Sequence, residues 1–148
     1  MIKNLYVSSE YKFINKRSVH SLIASLKHEI DFSITSLYIN FITGKEIHEI
    51  NNKYLKHNYT TDIITFNYNE DHKNFDGEIF ISVDDARLNA EKYKVDLNNE
   101  LIRLVIHGIL HLAGFDDRKK KDKIIMKRHE NNLLNSNKFV LLIGQTKH

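Results

Sequence analysis

The sequence predicts a single α+β domain with a small sheet. The chain has 148 residues, which suits one compact domain. Hydrophobic residues make up 41% of it and charged residues 28%, a balance typical of a folded globular protein. Short β-branched segments are interspersed with longer segments of helical periodicity, and this order favours the α+β class. No repeat, linker or low-complexity segment interrupts the chain, so we expect one domain over residues 1–148.

Four short segments have the composition of β-strands. Apolar and β-branched residues dominate them, and Gly44 and a polar loop at 70–76 separate them from their neighbours. We expect strands at residues 4–8, 36–42, 62–67 and 77–83, and a further short strand is possible in the tail at 139–143.

Five longer segments have the apolar spacing of helices. Either Asp96 or Asn98 can cap the first turn of the fourth segment, and Gly114 suits the position just after its last turn. We expect helices at residues 15–29, 45–55, 84–94, 98–113 and 118–134.

The composition narrows the possible functions. There is no cysteine, so disulfides and thiolate zinc sites are excluded, and a metal ion would need His, Asp or Glu ligands. The first residues lack the apolar core of a signal peptide, and no apolar run approaches the ~20 residues of a membrane span. We therefore expect a cytoplasmic protein without membrane contact. The net charge of +3 is compatible with a nucleic-acid partner.

The most informative motif is His-Gly-Ile-Leu-His-Leu-Ala-Gly-Phe-Asp-Asp at residues 107–117. On a helix, His107 and His111 lie one turn apart on the same face and can bind one metal ion. Gly114 lets the chain turn back, so that a carboxylate beyond it can supply a third ligand. A divalent ion held by three protein groups, with one position open, is typical of hydrolytic centres.

Two other interpretations of these histidines, core residues and ordinary surface residues, are weaker. A helical wheel places the apolar residues of this helix on one broad face, and His107 and His111 on the opposite face beside Glu100 and Arg103. Gly108 lies between the histidines, where a glycine costs ~1 kcal/mol relative to alanine. Its presence suggests close approach by a neighbouring helix or by a substrate.

The motif resembles the signature of the YbeY family, His-Gly-x-x-His-Leu-x-Gly-aromatic-Asp-His, at every specified position but the last. A second block of the family resembles the segment from Asn51 through Tyr54 to residues 61–66. A third resembles Gly-Glu-Ile-Phe-Ile-Ser at residues 77–82. The resemblance implies a mostly four-stranded sheet with the metal-binding helix beside it.

The resemblance also implies a function. The family comprises zinc-dependent, single-strand-specific endoribonucleases that mature the 3′ end of 16S rRNA and take part in ribosome quality control. The expected partners are therefore ribosomal RNA and the small ribosomal subunit, with no DNA. The expected zinc ligands are His107, His111 and Asp117, which stands where the family has a third histidine. Asp117 could instead cap the last helix, and Asp116 is the alternative ligand.

The chain departs from the family at a cationic position. Leu55 occupies the place of the arginine that follows the family's tyrosine, and an RNA-cleaving site needs positive charge on the reacting phosphate. Lys56, His57 and Arg103 are candidate replacements. Arg103 could also form a solvated salt bridge with Glu100. We expect Arg103 to act in catalysis with the two histidines.

A general base is a further requirement of the chemistry. Zinc proteases of the His-Glu-x-x-His type place a glutamate directly after the first histidine, where this chain has Gly108. This difference disfavours a peptide substrate. Glu78, on the strand that resembles the family, is the expected base.

The cations at residues 118–121 oppose the dipole of the last helix, so a polyanionic partner would explain them. The rival function is a non-catalytic ribosome-assembly factor stabilised by its metal.

Overall fold

One mixed sheet of four strands forms the centre of the molecule. The computed structural model describes residues 1–56 and 61–144. The strand order is β1-β2-β4-β3, with β1, β2 and β4 parallel and β3 antiparallel to β4. The strands are β1 (Leu5–Ser9), β2 (Ser33–Ile42), β3 (Ile63–Asn67) and β4 (Asn74–Ser82). The four predicted strands are thus confirmed, although β4 begins inside the predicted loop at 70–76 and β2 begins before residue 36.

The five predicted helices are also present. They are α1 (Lys16–Ile30), α2 (Gly44–Leu55), α3 (Val83–Tyr93), α4 (Leu97–Leu112) and α5 (Lys120–Ser136). Asp96, rather than Asn98, caps α4, because its side chain accepts a hydrogen bond from the Asn99 amide. The tail forms only an isolated bridge between Ile14 and Leu142, so the prediction of a strand at 139–143 was wrong.

The two faces of the sheet are covered by different helices. Alternate residues of a strand point to opposite faces, and Leu37, Ile39 and Ile79 belong to the main core with α1 and α4. Residues on the other face, including Ile64 and Phe80, form a smaller cluster against α2. This division decides which strand residues can reach a group on α4.

Helix α4 packs closely on the sheet because two glycines bring the backbones together. A Cβ atom on Gly108 would lie 2.8 Å from Ile79 Cδ1 and 3.3 Å from Ile63 Cδ1. A Cβ atom on Gly77 would lie 2.9 Å from Leu112 Cδ2. Strand side chains therefore explain Gly108, and neither a neighbouring helix nor a substrate is needed. No helix among the described residues is long and apolar enough to cross a membrane.

Candidate metal centre

The two histidines of the motif project from α4 toward the loop that follows it. Gly114 has a φ of +99°, a conformation that glycine adopts without strain, and it reverses the chain just after the helix. The reversal returns Asp117 to the helix face that presents His107 and His111. The side chains of these three residues are 19%, 29% and 40% exposed in the order His107, His111, Asp117, so the group is open to solvent on one side.

The three side chains present their ligand atoms at spacings suited to one ion. His107 Nε2 and His111 Nε2 are 3.2 Å apart, and Asp117 Oδ2 lies 3.5 Å from the first and 3.6 Å from the second. A tetrahedral ion with bonds of 2.0–2.2 Å requires ligand atoms about 3.3–3.6 Å apart. His107, His111 and Asp117 can therefore hold a metal ion.

The ionised state of Glu130 also favours metal binding by His107. Glu130 Oε2 lies 2.8 Å from His107 Nδ1. Burial would raise the pKa of Glu130, but hydrogen bonds with His107 and Arg103 outweigh it and lower the pKa to about 2. An ionised carboxylate only accepts hydrogen bonds, so Nδ1 holds the imidazole proton and Nε2 offers a lone pair to the site. A bound cation would stabilise this lone pair beside the Asp117 carboxylate.

His111 is poised to remain neutral. Burial lowers its pKa, and the neighbouring His107 lowers it further, although Asp117 opposes both effects. Only a neutral imidazole can bind a metal ion. The backbone of Phe115 acts in the same direction as Asp117 and raises the pKa of His111.

Arg103 is committed to buried carboxylates on both sides. Its Nε and Nη2 donate to Glu100 at 2.8 and 2.6 Å, and its Nη1 donates to Glu130 at 2.9 Å. Glu100 and Glu130 are 1% and 2% exposed. These hydrogen bonds raise the pKa of Arg103, so its charge is permanent but neutralised by its partners. The salt bridge between Arg103 and Glu100, given above as an alternative, is thus present, but its carboxylate is buried rather than solvated.

Glu130 is the functional residue that the sequence did not reveal. It lies on α5, 23 positions after His107 in the chain, and no local spacing links the two residues. The only available signal was a glutamate at a position of α5 that faces the core beside Met126 and Leu133. Asn89 extends the polar cluster, because its amide donates to Glu100 and to Asp62 at the start of β3.

Asp116, the alternative ligand, lies outside the group of three side chains. Its carboxylate accepts hydrogen bonds from the backbone and side chain of Arg118, which lower the pKa of Asp116. The alternative role of Asp117 as a helix cap is wrong, because α5 starts after Lys119 and has no side-chain cap. Arg118, the first cation of the basic segment, is therefore paired within the loop.

The structure does not bring Glu78 to this group. Glu78 alternates with Gly77 and Ile79, which face α4, so its side chain lies on the opposite face of the sheet. There it contacts Asn40 and Tyr68 through hydrogen bonds of 3.3 Å. To act as a base next to the ion, Glu78 would need its side chain on the face of the sheet that packs against α4.

The candidate cations near Leu55 are dispersed. Leu55 is 40% exposed, and Lys56 ends α2 in a left-handed conformation with a φ of +56°. His57 lies outside the described residues. Of the two candidate replacements that the structure describes, Lys56 and Arg103, Arg103 borders the metal group.

Two clefts meet at the three ligands. A cleft of about 670 Å³ lies between α4 and α5, and it is lined by Arg103, Lys123, Lys127 and Arg128 together with the apolar side chains of Ile124 and Met126. A polar cleft of about 450 Å³ follows β3, and Thr61, Thr65 and Asn67 line it. His107 and Asp117 border both clefts. An extended bound molecule could therefore pass over these two side chains from one cleft to the other.

The fold and the donor set together define a class of protein. A small α+β domain presents two imidazoles and a carboxylate at an open cleft, which is the arrangement of a metal-dependent hydrolase. A sequence profile of the family Endoribonuclease YbeY matches residues 3–138. The chain belongs to this family, as its motifs predicted.

Individual relatives agree with this assignment. The chain is 40% identical to Endoribonuclease YbeY of Parabacteroides distasonis over 121 residues, which cover 82% of this chain and 84% of the relative. It is 34% identical to the Amoebophilus asiaticus protein of the same name, with 90% of each chain covered. A solution structure of a Thermotoga maritima protein is similar, with a TM-score of 0.62, 26% identity, and coverage of 89% of this chain and 90% of that one.

Proposed function

We propose that the protein is a zinc-dependent endoribonuclease that cleaves single-stranded RNA, and that its substrate is the precursor of the 3′ end of 16S rRNA. The proposal extends to a role in ribosome quality control, to binding of the small ribosomal subunit and to a cytoplasmic location. The observation that carries it is the convergence of His107, His111 and Asp117 within 3.6 Å of one another where two clefts meet. Membership of the endoribonuclease family supplies the substrate class.

The cleft between α4 and α5 suits a polyanion. Lys123 and Arg128 are exposed on its α5 side, and neither forms a salt bridge with any other residue in the ranges 1–56 and 61–144. Their charges are therefore available to phosphate groups. The exposed apolar side chain of Ile124 can contact the bases of an unpaired strand, whereas a duplex keeps its bases stacked inside the helix.

Each residue of the site has a separate role in the proposed reaction. His107, His111 and Asp117 would hold the ion, and two nitrogen ligands with one oxygen ligand suit zinc. When bound, the ion supplies a Lewis acid and an activated water. Lys123 and Arg128 would bind the phosphates that flank the scissile bond. Arg103 is neutralised by Glu100 and Glu130, so it orders the ligands rather than balancing phosphate charge.

The test is cleavage of a 16S rRNA precursor fragment by the purified protein, with and without zinc. Substitution His111→Ala should abolish both zinc retention and cleavage, because two ligands remain for an ion that needs three. Substitution His28→Ala, at an exposed histidine of α1, is the matched control and should change neither. Zinc content is measured by mass spectrometry and cleavage by mapping of RNA ends. Full cleavage by His111→Ala after removal of metal would refute the metal-dependent mechanism.

The alternative function is a non-catalytic ribosome-assembly factor with a structural metal. It is favoured by the neutralised Arg103 and by Leu55 in place of the family's arginine, since both weaken the positive charge on a reacting phosphate. The same assay separates the two functions. Zinc retention and binding to the small subunit, without RNA cleavage by the unmodified protein, would establish the alternative.

A further inference from the structure

A chain of buried charged groups lies behind one of the two imidazoles. Glu130 contacts His107 Nδ1 with Oε2 and Arg103 with Oε1, and Arg103 contacts Glu100 with two further hydrogen bonds. Both carboxylates are almost fully buried. Removing two carboxylates and a guanidinium from water is costly, so this cluster gains little stability over apolar residues of the same volume. Its geometry points to a role at the metal centre.

We propose that Glu130 is a positioning residue that fixes the ring orientation and the tautomer of His107, and that Arg103 holds Glu130 in place. The inference rests on the metal centre of the proposed function. Because the Glu130 carboxylate accepts a hydrogen bond from Nδ1–H of His107, the Nε2 lone pair of this ring points toward His111 and Asp117. A carboxylate behind a metal-bound imidazole also increases the basicity of the ligand.

The charges of the cluster favour a cation on the far side of the ring. Two carboxylates and one guanidinium leave one negative charge, and one Glu130 oxygen faces His107. Lys127 lies 3.3 Å from the other Glu130 oxygen, but its side chain is 59% exposed, so water screens its charge. The remaining negative charge therefore acts through His107 on a bound ion.

The two imidazoles differ in their support. His111 lies in the last turn of its own helix, where its carbonyl oxygen accepts a hydrogen bond from the Gly114 amide. His107 depends on a side chain of another helix, which packs against α4 only in the folded chain. A change at Glu130 should therefore disturb His107 and leave His111 in place.

The first measurement is the tautomer of His107 in the metal-free protein at pH 8, observed by ¹⁵N NMR of the histidine rings. The proton should be on Nδ1. A proton on Nε2 of His107 in the unmodified protein would overturn the proposal without any variant.

The second measurement is the zinc dissociation constant, obtained by competition with a chelator. Substitution Glu130→Ala should weaken zinc binding about 10–100-fold and remove the preference for the Nδ1 tautomer. Glu130→Gln keeps only one oxygen, which Arg103 and Lys127 attract, so its NH2 group should face His107, shift the proton of that ring to Nε2 and weaken zinc binding as Glu130→Ala does. Asn132→Ala, at an exposed position of the same helix, is the control and should bind zinc like the unmodified protein.

The outcomes separate this proposal from the proposed function. If the unmodified protein binds no zinc, the metal centre itself is wrong. If the unmodified protein binds zinc and a folded Glu130→Ala variant binds it equally well, only the positioning role is wrong. Circular dichroism establishes whether that variant is folded, and if it is not, the tautomer of the unmodified protein decides.

Discussion

Asp117 is the proposed ligand at which this chain departs from the sequence signature that it resembles, and its local structure shows how an aspartate can serve there. The reversal at Gly114 brings the Asp117 carboxylate within 3.6 Å of both imidazole nitrogens. Asp116, its neighbour, is engaged with Arg118 instead. The two adjacent aspartates thus have different contacts, Asp117 with the two imidazoles and Asp116 within the loop.

Substitution Asp117→Ala should therefore reduce zinc occupancy, because it leaves two protein ligands. Asp117→His should retain zinc, because an imidazole nitrogen binds zinc at about the same 2.0–2.1 Å as a carboxylate oxygen does. Zinc content after dialysis, measured by mass spectrometry, distinguishes the variants. Asp116→Ala is the matched control and should keep its zinc. Unchanged zinc in Asp117→Ala together with loss in Asp116→Ala would reassign the third ligand to Asp116.

At the scale of elements, the site depends on the close contact between α4 and the sheet. Gly108 on the helix and Gly77 on β4 both lie where a methyl group has no free space, but the obstacles differ. A Cβ atom on Gly77 would lie 2.6 Å from the backbone oxygen of Phe66, and one on Gly108 would meet the flexible ends of Ile79 and Ile63. A strand backbone moves less easily than the end of a side chain.

We expect Gly77→Ala to lower the free energy of unfolding by about 2–3 kcal/mol, as overpacking does, because it forces β3 away from β4. Gly108→Ala should lower the free energy of unfolding by about 0–1 kcal/mol. Crowding by the added methyl group destabilises the protein, but the higher helix propensity of alanine offsets ~1 kcal/mol of this loss. Urea unfolding of the metal-free proteins, followed by circular dichroism, measures both values. A larger loss for Gly108→Ala than for Gly77→Ala would contradict this view of the contact.

The helices and strands also show how much of the fold and of the site can be predicted from the sequence. All five helices and four strands were predicted from local periodicity. The grouping of His107, His111 and Asp117 was predicted from a motif within eleven residues and its resemblance to the family signature. Glu130 was missed because its partnership with His107 arises from the packing of α5 on α4, which no local pattern encodes. Glu78 was misplaced for a related reason. Proximity of its strand to the helix was inferred correctly, but the side of the sheet on which its carboxylate lies follows from register.

At the scale of the whole molecule, positive charge is distributed unevenly around the metal centre. The net charge is only +3, and Arg103 and Arg118 are paired with carboxylates close to the site. Lys123 and Arg128 remain available on the rim of the cleft between α4 and α5. Affinity for RNA should therefore depend on a few cations of α5 rather than on the overall charge.

Salt dependence of RNA binding tests this distribution of charge. Each phosphate contact with a single strand contributes about −0.7 to the slope of log binding constant against log salt concentration. The double substitution Lys123→Gln and Arg128→Gln should make that slope shallower by about 1.4, because it removes two such contacts. The measurement is fluorescence anisotropy of a labelled single-stranded RNA, made in the His111→Ala background so that the RNA remains intact.

The matched control removes two exposed cations of α1, with the substitutions Arg17→Gln and Lys27→Gln. It changes the net charge by the same amount as the double substitution on α5, but neither residue lines the clefts at the metal centre. Its slope should equal that of the parent protein. Equal reductions of slope in the two double variants would mean that RNA responds to the total charge of the molecule, and the cleft between α4 and α5 would lose its role as the RNA path.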